Sequence, residues 1–137
     1  MIVGNRMHNS DAMPWVRRWV NLWMSRKLSF FCGQHWPDSQ CGLRLLHLES
    51  WAQCECKAQH FEIESELLVR LAAGGHAIEF LPIEVRYRGE RSKIRPIQDT
   101  WRWFKWWRGI KREFSTRPRV GRIRQAETPS LPVLSSR

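Results

Sequence analysis

Residues 61–87 read FEIESELLVRLAAGGHAIEFLPIEVRY, and the order of the patterns inside this stretch decides the fold class. Leu67, Leu68 and Leu71 recur at helical spacing, which predicts a helix over residues 61–73. Gly74-Gly75 then supplies a left-handed stop, because glycine reaches positive φ without steric cost. Over residues 77–87, Ile78, Phe80, Ile83, Val85 and Tyr87 alternate approximately, as in a strand. Pro82 interrupts the pattern, and a residue without an N–H belongs at a sheet edge or a bulge. A helix followed by a strand favours an α/β sheet.

The flanking segments extend that reading. Ile2-Val3-Gly4 is an apolar stub before a turn residue and resembles the tail of a buried strand. Pro14 suits the first turn of a helix whose good helix formers run to about residue 31. At 100° per residue, Arg17, Arg18, Asn21 and Ser25 form one polar stripe, while Trp15, Val16, Trp19, Val20, Trp23 and Phe30 cover much of the rest. Residues 34–44 carry turn signals at Pro37-Asp38-Ser39 and Cys41-Gly42 and read as a loop. Residues 100–114 predict a strongly amphipathic helix, with Trp103, Trp106, Trp107, Ile110 and Phe114 facing Lys105, Arg108 and Arg112. Residues 116–137 are rich in Arg, Pro, Ser and Thr without periodicity and read as a disordered basic tail.

A chain of 137 residues has room for one core, and its hydrophobic fraction of 42% with nine tryptophans excludes general disorder. No apolar run approaches the roughly 20 residues of a membrane-spanning helix. The first residues lack the layout of a secretory signal, so the cytoplasm is the expected compartment. The formal charge of +10 is unevenly placed. Residues 1–100 carry 13 Lys and Arg against 11 Asp and Glu, whereas residues 101–137 carry 10 against 2. Cys32, Cys41, Cys54 and Cys56 share one stretch with His35, His47 and His60, but Cys32 and Cys41 make no close ligand pair of the structural-zinc kind. Reduced, partly buried thiols are the simpler expectation, and no metal ligands are assigned.

Several segments, taken in order, carry a resemblance. They are Gly4-Asn5-Arg6-Met7; Met13-Pro14 with Arg17, Asn21 and Ser25; Asp38-Ser39-Gln40-Cys41-Gly42-Leu43-Arg44; Glu64-Ser65-Glu66-Leu67-Leu68; Pro82-Ile83; and Tyr87 with Gly89-Glu90-Arg91-Ser92-Lys93-Ile94. From residue 2 to about residue 108 the chain resembles the second half of the dolichol-phosphate-mannosyltransferase-like branch of family 2 glycosyltransferases. The resemblance implies a partial GT-A fold, a Rossmann-like α/β sheet with flanking helices and a C-terminal amphipathic helix. In that family the first half binds a nucleotide-sugar and a divalent metal, Mg or Mn, through an Asp-x-Asp motif, and this chain contains no Asp-x-Asp. The implied enzyme is therefore incomplete and inactive alone, through a mis-assigned start, a split gene or a remnant. Its parts would be an acceptor-side half over residues 1–98, the Trp-rich helix over 99–115 and the tail over 116–137.

The resemblance implies transfer of a sugar from a nucleotide diphosphate to a polyprenyl phosphate, or a similar acceptor, with inversion. A phosphate on an apolar chain calls for charge-assisted hydrogen bonds, which the arginine fork makes best. Arg6, Arg17, Arg88 and Arg91 are the candidates, with Lys93 as a point charge and Asn21 as a neutral partner; the simpler reading makes each arginine a solvated surface residue. Asp38 matches a loop aspartate of the family, which implies a catalytic base or a positioning carboxylate. A phosphate whose second pKa is about 6 is already ionised, so a base is required only for a hydroxyl acceptor. Orienting Arg44 or the donor sugar, or capping its own loop, are the other roles open to Asp38. Glu66 is expected to support one of the arginines.

The Trp-rich helix is expected to lie in the membrane interface, with basic residues toward anionic headgroups, giving peripheral contact at the inner face. Packing against the absent half is the alternative. Two other functions stay open: an inactive remnant or non-catalytic partner, and a basic nucleic-acid binder with stacking tryptophans. The binder leaves residues 1–100 unexplained, and no nucleic acid is expected as a partner.

Overall fold

The computed structural model of the chain describes residues 1–85 and 96–115. A small sheet of three strands carries the fold: β1 (Ile2–Asn5), β2 (Arg44–Leu45) and β3 (Glu79–Pro82), in the order β2-β1-β3. The apolar stub at the start of the chain is thus the central strand, with Val3 fully buried. β1 runs antiparallel to β2 and parallel to β3, with Ile2 opposite Glu79 and Asn5 opposite Pro82. A parallel pair cannot be joined by a tight turn, and here the crossover contains helices α1 (Trp15–Cys32), α2 (Leu48–Ala52) and α3 (Glu62–Ala73). The architecture is mixed α/β, as a partial Rossmann-like sheet requires.

β3 is shorter than the alternation over 77–87 suggested. The N–H groups of Glu79 and Ile83 donate to the carbonyls of Met1 and Asn5. By alternation, position 82 would direct its N–H to the open edge, which is the one place a strand proline loses nothing. Ile83, Glu84 and Val85 have already left the strand. Gly4 lets the sheet close on its neighbours: a Cβ there would stand 2.7 Å from Ile83 Cδ1 and 3.0 Å from Cys41 Sγ.

α1 ends as glycine caps dictate. Gly33, at φ 65°, donates its N–H to the carbonyl of Ser29. The stop after α3 is divided differently from the sequence expectation: Gly74 keeps a helical φ of −76° and Gly75 alone turns left-handed, at 80°. α2, a short helix between β2 and α3, has no periodicity long enough to announce it.

The helix α4 (Pro96–Ser115) turns Trp103 and Trp107 inward. It starts earlier than residue 100, because proline is well suited to a first helical turn. Its apolar face is the lid of the core. Trp103, Trp107 and Ile110 are buried together with Met24, Leu28, Leu68, Val69 and Ala72. Trp103 packs on Trp23 with ring centroids 5.4 Å apart, Phe31 meets Trp107 edge-on at 5.1 Å, and Trp103 stacks on Trp107 at 5.5 Å. The partners of this face are α1 and α3 of this same chain. A face with that aromatic area gains more from a dry partner already in place than from water. The expected tail over 116–137 lies outside the described residues.

The most exposed aromatic side chains among the described residues belong to α1. Trp15 is 80% exposed, Trp19 65% and Phe30 91%, with Leu22 between them on the same stripe. α1 is thus apolar on two sides, one in the core and one outside.

Candidate functional site

The polar stripe of α1 turns inward at its centre. Asn21 and Ser25, one turn apart, are buried beside Met24 and Leu28. A buried amide must be hydrogen-bonded, and the loop after Gly33 provides the partner. Trp36, 2% exposed, anchors that loop: its backbone N–H donates to Ser29 Oγ at 2.9 Å and its indole to Gln34 Oε1 at 3.1 Å. The anchored loop carries Asp38 and Ser39 beneath α1, both fully buried.

Asp38 receives four hydrogen bonds. One oxygen accepts from the backbone N–H of Arg6 at 2.9 Å and from Arg6 Nε at 2.8 Å. The other accepts from Arg6 Nη2 at 2.9 Å and from Asn21 Nδ2 at 2.7 Å. Two carboxylate oxygens offer about four acceptor positions, so the group is fully engaged. Burial by itself would raise the Asp38 pKa, but the bonds and charge of Arg6, with the Asn21 amide, outweigh it and hold the carboxyl below its usual value. This is an ionised carboxylate that orients an arginine.

A continuous polar chain leaves this centre. Asn21, whose amide nitrogen serves Asp38, presents its oxygen to the Ser25 hydroxyl at 3.1 Å. Ser25 Oγ lies 3.0 Å from Ser39 Oγ and accepts the Ser39 N–H at 2.9 Å. Gln40 Nε2 spans Ser39 Oγ at 3.0 Å and Ser65 Oγ at 2.9 Å. Trp103 closes the line by donating its indole N–H to Ser65 Oγ at 2.8 Å. The residue after β1, α1, the loop, α3 and α4 are thereby joined through buried side chains.

Arg44 is not oriented by Asp38. Its fork donates to three carbonyls, Cys41 at 2.9 Å, Ser39 at 3.0 Å and Glu64 at 2.7 Å, and so pins the loop to α3. Burial pulls its pKa down, although it stays charged. Glu64, which sequence reasoning gave no role, is half-buried beside it, and burial raises its carboxyl pKa against the opposing Arg44 charge. Glu66 belongs to a separate network. It accepts from the N–H groups of Lys57 at 3.1 Å and Ala58 at 2.8 Å and from Arg70 Nε at 2.6 Å, while the other nitrogens of Arg70 reach Glu113 of α4 at 3.0 and 3.2 Å. Its partner is therefore Arg70, outside the candidate set, and the i, i+4 spacing of Glu66 and Arg70 was the signal for it.

The structure thus brings Arg6, Asn21 and Asp38 together, with Arg44 across the loop. Arg17 sits one turn before Asn21, half-buried. Asn21, 4% exposed and donating to Asp38, has the geometry of a partner for that carboxylate rather than for a dissolved phosphate. Arg6 keeps 23% of its side chain exposed while paired. Arg88, Arg91 and Lys93 lie outside the described residues. All four cysteines are free thiols, and among the described residues no three His, Cys, Asp or Glu side chains converge as metal ligands. No helix among the described residues is long and apolar enough to cross a membrane.

No family model matches the chain, and no solved structure matches it. The chain is similar to the dolichyl-phosphate hexose transferase of Haloferax volcanii, 29% identical over 103 residues. The match covers 71% of this chain and 42% of that protein, so the chain spans less than half the length of the relative.

Proposed function

We propose that this chain is the acceptor-side part of a glycosyltransferase of the dolichol-phosphate-mannosyltransferase-like branch of family 2. The reaction is transfer of a sugar from a nucleotide-sugar to a polyprenyl phosphate or a similar acceptor, with inversion. The observation that carries the reading is the similarity to the archaeal hexose transferase over 71% of the chain. The buried Arg6–Asp38–Asn21 centre supports it, because a cation fixed by a carboxylate costs little further entropy when an anion arrives. In this reading Arg6 and Arg17, with Arg88, Arg91 and Lys93, attract and hold the acceptor phosphate. Asp38 is a positioning residue. An acceptor phosphate oxygen, already ionised near neutral pH, attacks the anomeric carbon while the nucleoside diphosphate leaves with the electrons of its bond.

The family resemblance also implies Mg or Mn. The described residues do not fit such an ion, since no suitable donor set converges among them, and no step of this reading passes through it. The nucleotide-sugar is held by residues other than those described.

The outer stripe of α1 gives the lipid acceptor a place to be met. Trp15, Trp19, Leu22 and Phe30 are exposed together, with Arg18 and Lys27 along their edges and Arg26 within the stripe. Exposed aromatics bordered by cations fit the headgroup region of an anionic bilayer. Peripheral contact with a membrane is thus assigned to α1, in place of the α4 face that the core occupies.

A chimera tests the reaction. The chain replaces the stretch of the Haloferax transferase that it matches, and sugar transfer from nucleotide-sugar to polyprenyl phosphate is measured. Transfer by the chimera, with Arg17→Ala raising the acceptor KM more than the donor KM, is the expected result. A folded chimera that binds nucleotide-sugar but transfers nothing refutes the reading.

A further inference from the structure

The loop between α2 and α3 contains a feature that sugar transfer does not use. Cys54 and Cys56 are held with their sulfurs 3.4 Å apart. The cause is local: the Cys56 N–H donates to the Cys54 carbonyl at 2.8 Å, a three-residue turn around Glu55, and the Cys54 N–H donates to the Trp51 carbonyl at the end of α2. A turn this tight keeps the two Cα atoms within the span of roughly 4.4–6.8 Å that disulfides bridge. The next two N–H groups, of Lys57 and Ala58, are fixed on the Glu66 carboxylate.

The two thiols are not equivalent. Cys54 lines an open pocket of about 350 Å³, bordered by Ser50, Gln53, Arg70, His76 and Glu113, through which a small reagent reaches it. Cys56 does not line that pocket, and burial, then the neighbouring Cys54 thiol, push its pKa up to about 12. Once the Cys54 sulfur is bonded to a sulfur of the reagent it carries no charge, and its part in raising the Cys56 pKa is gone.

We propose that Cys54 and Cys56 form a redox-responsive dithiol that closes to a disulfide by exchange with a small disulfide such as glutathione disulfide. The Cys54 thiolate attacks one sulfur of the reagent, giving a mixed disulfide and releasing one thiolate. Cys56, deprotonated, then attacks the Cys54 sulfur, and the second thiol of the reagent leaves with a proton. The protein dithiol is oxidised by two electrons and the reagent disulfide is reduced to two thiols. The closed ring fixes the segment whose N–H groups hold Glu66, and through Arg70 and Glu113 the seat of α4.

The full chain is equilibrated with mixtures of reduced and oxidised glutathione, trapped with acid, alkylated and mapped by peptide mass spectrometry. The expected result is loss of two hydrogens on the peptide carrying Cys54 and Cys56, reversed by reduced glutathione. Cys56→Ser should accumulate the glutathione adduct on Cys54, and Cys54→Ser should leave Cys56 unmodified. No intramolecular disulfide at any ratio, a bond from either residue to Cys32 or Cys41, or an adduct on Cys56 in Cys54→Ser overturns the proposal. Because the single variants keep the polar chain and the core untouched, circular dichroism separates misfolding from missing reactivity.

Discussion

Replacing Trp103 by Ala separates a core role for α4 from a surface role. The side chain is 2% exposed, and its ring contacts Trp23, Trp106 and Trp107 at centroid distances of 5.4, 5.8 and 5.5 Å. Truncating a buried aromatic to Ala costs about 3–5 kcal/mol. The lost indole bond to Ser65, 2.8 Å long, adds about 1 kcal/mol. A total of about 4–6 kcal/mol approaches the whole stability of a small domain, so the variant should be largely unfolded at room temperature by urea titration and near-ultraviolet circular dichroism. Trp103→Phe keeps most of the ring and loses the bond, and Ser65 still receives Gln40, so about 1–2 kcal/mol is expected. A loss below about 1 kcal/mol for Trp103→Ala would refute the core assignment.

Four further outcomes follow from the same geometry. Asp38→Asn removes the carboxylate charge that Arg6 pairs with; removing one member of a buried pair costs about 3–5 kcal/mol, and with Arg6 still 23% exposed the lower end is expected in denaturant titration. Asp38 and Glu66 both have folded pKa values below their ordinary ones, so their stabilisation is complete above the ordinary carboxylate range and is lost as pH falls through the folded values. The acid limb of a stability profile should accordingly be shallower in Asp38→Asn, and an unchanged limb contradicts the assignment. Gly4→Ala should cost about 1–3 kcal/mol by crowding Ile83; adding Ile83→Val, which removes the nearest atom, should restore part of the melting temperature, and no recovery would show that the crowding lies elsewhere. Trp15→Ala with Trp19→Ala should weaken sedimentation with anionic vesicles roughly tenfold or more, with a further fall at high salt, and equal binding by the variant would remove α1 from the membrane.

The elements with long, one-sided patterns were legible from residue types. α1 and α3 lie within a residue or two of their expected bounds, and β1 was readable from three apolar or small residues. α2 was not, since five residues carry less than two turns of periodicity. The polar stripe of α1 announced Asn21 and Ser25, but a stripe does not say which way it points, so a seam expected to face a ligand faces Asp38. The same limit explains α4. An amphipathic helix of tryptophans fits a bilayer and a core equally well by spacing, and only the complementary face of α1, with Trp23 and Phe31, decides between them. Arg70 shows the reverse: its helical spacing from Glu66 was visible, while Glu113, 43 residues on, was not.

The buried line of hydroxyls and amides from Asp38 to Trp103 also sets which substitutions a lineage of this protein could accept. Losing one member strands its neighbour as an unpaired dipole, at about 1–3 kcal/mol, whereas exchanging two touching members for apolar groups of the same shape can be nearly neutral. Neither Ser25 with Ser39 nor Ser65 with Trp103 is such a closed pair, because the first also serves Asn21 and Gln40 and the second Gln40. Related chains should therefore change several of these positions together, and a lone replacement should be found beside a second change that fills or pairs the orphaned atom.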